Sequence, residues 1–166
     1  ENDDMVSPFI LPGGQYENIQ DTAGATRVND DPLVCGINAG HTVWYRYTPV
    51  QNSILYLSFD DSDYQTLAGV YTVDNSSLQQ VTCGAGQDVT LSATAGQTYL
   101  IMIGSSGNDG GQLSIRADEV LIPVNDEISQ PIVIQTIPTI PNAPYSHTVD
   151  TRGASSSVFD PVLSCA

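Results

Sequence analysis

Apolar and polar residues alternate one by one in several short stretches of the chain, and that period predicts strands. Thr42-Val43-Trp44-Tyr45-Arg46-Tyr47-Thr48 puts Val43, Tyr45 and Tyr47 on one face and Trp44, Arg46 and Thr48 on the other. Aromatic residues on both faces place this strand inside a sheet. Ile54 to Phe59 follows with Leu55, Leu57 and Phe59 directed to a core, and Leu67 to Thr72 supplies a third core strand. Asp88 to Ala93 and Thr98 to Gly104 read as a pair joined by Thr94-Ala95-Gly96-Gln97, a short hairpin connection containing glycine. Gln112 to Arg116 completes the set. Met5 to Leu11, interrupted by Pro8 and ended by Pro12-Gly13-Gly14, suits an edge strand, where a missing N–H is harmless. No stretch sustains a helical 3.6-residue apolar period. The expectation is an all-β protein of seven or eight short antiparallel strands, folded as a two-sheet, jelly-roll-like sandwich.

The chain's end repeats its beginning. Asn125-Asp126-Glu127-Ile128 echoes Asn2-Asp3-Asp4-Met5, Asp150-Thr151-Arg152-Gly153-Ala154-Ser155 echoes Asp21-Thr22-Ala23-Gly24-Ala25-Thr26, and Asp160-Pro161 leading to Cys165 echoes Asp31-Pro32 leading to Cys35. A period of this size is that of a whole domain, not of a solenoid repeat. The expected organisation is a sandwich over residues 1–124 and an extended segment over 125–166, which lacks the core strands needed to close a domain by itself.

Charge narrows the partners. Four Arg and no Lys stand against 19 acidic residues, a formal charge of −15. That excludes the basic footprint of a nucleic-acid binder and disfavours anionic membranes. No apolar run is long enough for a membrane-spanning helix. Three Cys without a CxxC spacing point away from a thiolate metal site and toward an oxidising, extracellular compartment.

Val43 to Pro49, Ser62 to Tyr71 and Ala95 to Gly104, with the Asn2-Asp3-Asp4 entry, resemble the bacterial pre-peptidase C-terminal domains, secreted β-sandwich modules attached to exported proteins. The resemblance implies a non-catalytic module, at times arranged in tandem and at times associated with calcium or carbohydrate. In that frame Cys35, before the Trp44 strand, and Cys83, after the Tyr71 strand, are expected to form a disulfide, and Cys165 is the echo of Cys35.

The tail carries Pro131-Ile132-Val133-Ile134-Gln135-Thr136-Ile137, apolar and β-branched, suited to adding a strand to a sheet edge. Ile128, Ile132, Ile134, Ile137 and Cys165 are therefore the expected linkage residues between copies, in a head-to-tail contact that generates a filament or fibre when it does not close. Asp60, Asp61 and Asp63 offer oxygen ligands of the kind calcium takes, outside any EF-hand pattern. Asn75-Ser76-Ser77 is an N-glycosylation sequon in a turn, and the Thr-, Ser- and Pro-rich stretch from Thr136 to Thr151 is a compositional candidate for further glycans. His41 and His147 have no metal-ligand spacing, and no nucleophile elbow is present. The expectation is a secreted, non-enzymatic structural subunit of an extracellular filament or tandem-domain fibre, joined head to tail by strand donation from the C-terminal segment. The competing expectation is a carbohydrate- or calcium-binding accessory domain of an exported enzyme, with Trp44 and the tyrosines as the sugar-stacking surface.

Overall fold

A computed structural model describes residues 2–75, 77–107, 109–134 and 146–160. The chain divides into two compact units, Glu1–Val120 and Leu121–Ala166, so the boundary falls a few residues before the expected one at 124. Among the described residues the first unit is all β. Its strands are β1 (Phe9–Ile10), β2 (Gln15–Asp21), β3 (Gly40–Tyr47), β4 (Ser53–Ser58), β5 (Thr66–Asp74), β6 (Ser77–Ala85), β7 (Val89–Ala93), β8 (Tyr99–Ser105) and β9 (Gln112–Leu121). They build a five-stranded sheet in the order β1-β3-β8-β5-β6 and a four-stranded sheet in the order β2-β9-β4-β7. The protein is thus a two-sheet β-sandwich. The pairs β2–β9, β3–β8, β4–β7, β5–β6 and β5–β8 are antiparallel, whereas β1 runs parallel to β3 with Phe9 opposite Tyr45 and Ile10 opposite Arg46.

The two-residue period of the strands fills the space between the sheets. Val43, Tyr45 and Tyr47 from β3, Leu55 and Leu57 from β4, Leu91 from β7, Ile101 and Ile103 from β8, and Leu113 and Ile115 from β9 form one buried cluster. The outward face of the five-stranded sheet is buried too. Trp44, Leu67, Tyr71 and Met102 pack there with Val34 and Ala39 from the segment leading into β3, and Met5 rests against them. This second cluster accounts for aromatic residues on both faces of β3.

Two strands were not predicted, and one connection differs. β2 (QYENIQD) and β6 (SLQQVTCGA) are polar and mostly exposed, because each lies at the open edge of its sheet and buries few side chains. Thr94 to Gln97 does not form a hairpin: it carries the chain from β7 at the edge of one sheet to β8 inside the other. Alternating apolar residues in adjacent strands are equally compatible with pairing in one sheet and with facing each other across two.

Cys35 and Cys83 are joined in a disulfide, with Cα atoms 5.7 Å apart and a sequence separation of 48. The bridge ties the loop before β3 to the edge strand β6. Closure of a loop this long contributes about 3–4 kcal/mol.

Candidate linkage site

Residues 2–31 of the first unit form a frame around β3, built largely from acidic side chains that close turns. Asp3 accepts from Thr26 twice, at Oδ1 from the backbone N–H (2.6 Å) and at Oδ2 from the hydroxyl (2.9 Å). Asp21 Oδ1 accepts from the Ala23 N–H at 2.9 Å, the local bond that makes Asp a turn former. Val28 N–H donates to Asp31 Oδ2 at 3.2 Å, while Asp31 N–H donates to Val28 O at 3.1 Å. The Ala25 N–H reaches Thr22 O at 2.9 Å, and the Ser7 N–H reaches Asp4 O at 3.0 Å.

Among the described residues, the second unit repeats each of these bonds. Asp126 accepts from the N–H and the hydroxyl of Ser155, both at 2.8 Å. Asp150 Oδ1 accepts from the Arg152 N–H at 3.0 Å. Ser157 N–H donates to Asp160 Oδ2 at 2.7 Å and Asp160 N–H to Ser157 O at 3.0 Å. Ala154 N–H reaches Thr151 O at 3.0 Å, and Gln130 N–H reaches Glu127 O at 2.8 Å. The sequence echo is therefore a structural echo, set by local side-chain-to-backbone bonds that need no core. One local addition is the pairing of Arg152 with Asp150 (2.8 Å), which holds the Asp150 carboxyl below the usual carboxylate range chiefly through the hydrogen bonds from Arg152.

Burial separates the two copies. In the first unit Leu11 is 3% exposed and Asp31 is 6% exposed, whereas their counterparts Ile134, at 64%, and Asp160 are open to solvent. Ile128 is 61% exposed where Met5 packs on the Trp44 cluster. Ile132 and Val133 are exposed as well. Of the expected linkage residues, Ile128, Ile132 and Ile134 are thus each exposed in the second unit, the last two in the apolar run Pro131 to Ile134; Ile137 and Cys165 lie outside the described residues.

The remaining candidates are scattered over the first unit. Asp61 pairs with Arg116 at 2.7 Å, and Asp63 Oδ1 accepts from the Gln112 N–H at 2.9 Å, so these carboxylates brace β9. Asp60 is exposed beside them. No group of three or more His, Cys, Asp or Glu arranged to hold a metal occurs among the described residues. Asn75 is exposed at the β5–β6 turn with φ of 46°, a left-handed conformation that Asn tolerates better than most residues. Trp44 is fully buried, with its Nε1–H directed at Asp31 Oδ1 (3.3 Å), and so is unavailable as a sugar-stacking platform. Packing on both faces of β3 removes it from the surface. Tyr45 and Tyr47 are buried likewise, and burial above all raises the pKa of both hydroxyls; Tyr71 is pushed up to about 12, again chiefly by burial. Among the described residues no helix is long and apolar enough to cross a membrane.

No family model and no curated protein matches the chain. A solved structure of PliG from Aeromonas hydrophila, a periplasmic inhibitor of g-type lysozyme, is similar at a TM-score of 0.42 and 11% identity, over 69% of this chain and 95% of that one.

Proposed function

We propose that the protein is a non-enzymatic structural subunit of a secreted extracellular filament or fibre, in which copies are joined head to tail through residues 125–166. The observation that carries this reading is the repetition, among the described residues of the second unit, of the turns of the 2–31 frame beside an apolar run, Pro131 to Ile134, that stands in solvent together with Ile128. Ordering such a segment costs about 1–2 kcal/mol per residue in backbone entropy, and burial of that run on a neighbour would offset it. The Cys35–Cys83 disulfide fits an oxidising compartment outside the cytoplasm. The likeness to pre-peptidase C-terminal domains, which are non-catalytic modules of exported proteins, agrees with it. A large negative charge keeps free subunits apart and soluble until a specific contact forms.

Sedimentation of the full chain over a range of concentrations, beside the Ile132→Asp and Ile134→Asp variants, tests the reading. Wild-type chains should grow into polymers while each variant stays monomeric with an unchanged unfolding transition. A wild-type chain that remains monomeric at all concentrations would refute the linkage.

A further inference from the structure

The contacts that distinguish the first copy of the frame from the second converge on one strand. Trp44 N–H donates to Asn2 O at 2.7 Å, and Asn2 Nδ2 donates back to Trp44 O at 2.9 Å. Thr42 Oγ1 reaches Asp31 Oδ2 at 2.7 Å, Thr42 N–H donates to Thr26 O at 3.3 Å, and Leu11 N–H donates to Arg46 O at 2.9 Å. Each of these partners belongs to β3. The frame in the second unit has the same turns and the same donors and acceptors, held in place by the same local bonds.

One difference between the copies shows which strand would fit. In the first unit Gln20 bridges two groups: its Nε2 donates to Asn2 Oδ1 at 2.8 Å, and its Oε1 accepts from the Tyr45 hydroxyl at 3.1 Å. The position corresponding to Gln20 is Val149, next to Asp150, and valine can bridge nothing. Asn125 Oδ1 is accordingly buried without a hydrogen-bond partner among the described residues, a costly condition for a polar atom. A strand of β3 chemistry supplies what is missing. Its Trp would pair main chain to main chain with Asn125, and the Tyr that follows, deprived of a Gln, would give its hydroxyl proton to Asn125 Oδ1.

We propose that residues 125–134 and 146–160 are a socket for β3 of a second copy, in which they take the place of residues 2–11 and 21–31. Ile132 and Val133 then lie parallel to Tyr45 and Arg46, as Phe9 and Ile10 do within one copy. An exchange of like for like conserves most contacts, which makes domain swapping a low-cost route to assembly. This site rests on the head-to-tail reading above and specifies its acceptor.

Photo-crosslinking decides it. Benzoylphenylalanine replaces Ile128 in the full chain, which corresponds to Met5 against the Trp44 cluster, and the crosslinked peptides are mapped by mass spectrometry on mixed isotope-labelled and unlabelled copies. The expected result is intermolecular crosslinks to residues 39–47, 67–71 and 102. Asn125→Ala in the same background should lower their yield by about five- to hundredfold, the loss of two net hydrogen bonds, one from Nδ2 to the Trp carbonyl and one from the Tyr hydroxyl to Oδ1. Intermolecular crosslinks confined to β6 or β7, with polymers intact, would overturn the socket and leave head-to-tail linkage standing. Crosslinks only within one chain, with monomeric sedimentation, would overturn both.

Discussion

Residues 2–31 share their turns with residues 125–134 and 146–160 but not their surroundings, and the comparison separates what local chemistry determines from what a core determines. Asp3 and Asp126 grip Thr26 and Ser155 in the same way; Leu11 is buried, and Ile134 is not. Side-chain-to-backbone hydrogen bonds between neighbours, or across one loop, form wherever the right Asp, Ser and Thr recur. Burial requires another sheet or another chain. The second unit is in this sense a frame without its contents.

Alkaline pH breaks the comparison most severely, because the buried and half-buried tyrosines among the described residues belong to the first unit. Tyr16, Tyr45, Tyr47, Tyr64 and Tyr71 all have raised pKa values, with burial as the main cause, and Tyr71 reaches about 12. A phenol whose folded pKa lies above its unfolded value of 10.0 favours the folded state fully below pH 10, and that contribution is lost as pH rises toward 12. Titration followed by phenolate absorbance and circular dichroism should show these tyrosines ionising together with cooperative unfolding of the sandwich. Ionisation near pH 10 with the fold intact would contradict their burial.

Removing the disulfide comes next. Cys83→Ser should cost about 3–4 kcal/mol in a denaturant unfolding experiment on the sandwich. Leu11→Ala should cost about 3 kcal/mol as a core truncation, whereas Ile134→Ala should change the stability of a dilute, unassembled chain by less than about 0.5 kcal/mol. The paired substitutions Asp3→Ala and Asp126→Ala give the smallest and most specific contrast. The first should lower sandwich stability by about 1 kcal/mol, and the second should leave it unchanged while abolishing amide protection at Ser155. Equal effects on the sandwich from both members of either pair would show that the two copies of the frame are not distinguished by burial.

Strands that bury a face were legible in the sequence, since alternation in Val43 to Tyr47 and Leu55 to Phe59, and the continuous apolar run Leu67 to Tyr71, record which residues meet the core. β2 and β6 left no such record because edge strands are held mainly by main-chain bonds, which polar sequences make equally well. The crossing from β7 to β8 between sheets was hidden for a related reason: periodicity reports burial, not partner. Within the candidate linkage site, the Asn-Asp and Asp-Thr echoes were visible, and Ile128, Ile132 and Ile134 stood out by composition. The role of Gln20 as a bridge, and so the meaning of Val149, depends on the 2.8 and 3.1 Å contacts that only the fold brings together.

Hydrogen–deuterium exchange of the full chain at increasing concentration, read over residues 125–134 and 146–160, tests the central claim most directly. Protection of Ile132 to Ile134 that rises with concentration, while β8 stays protected throughout, is the predicted result. Exchange in the second unit that is independent of concentration would contradict the account of this segment as a link between copies.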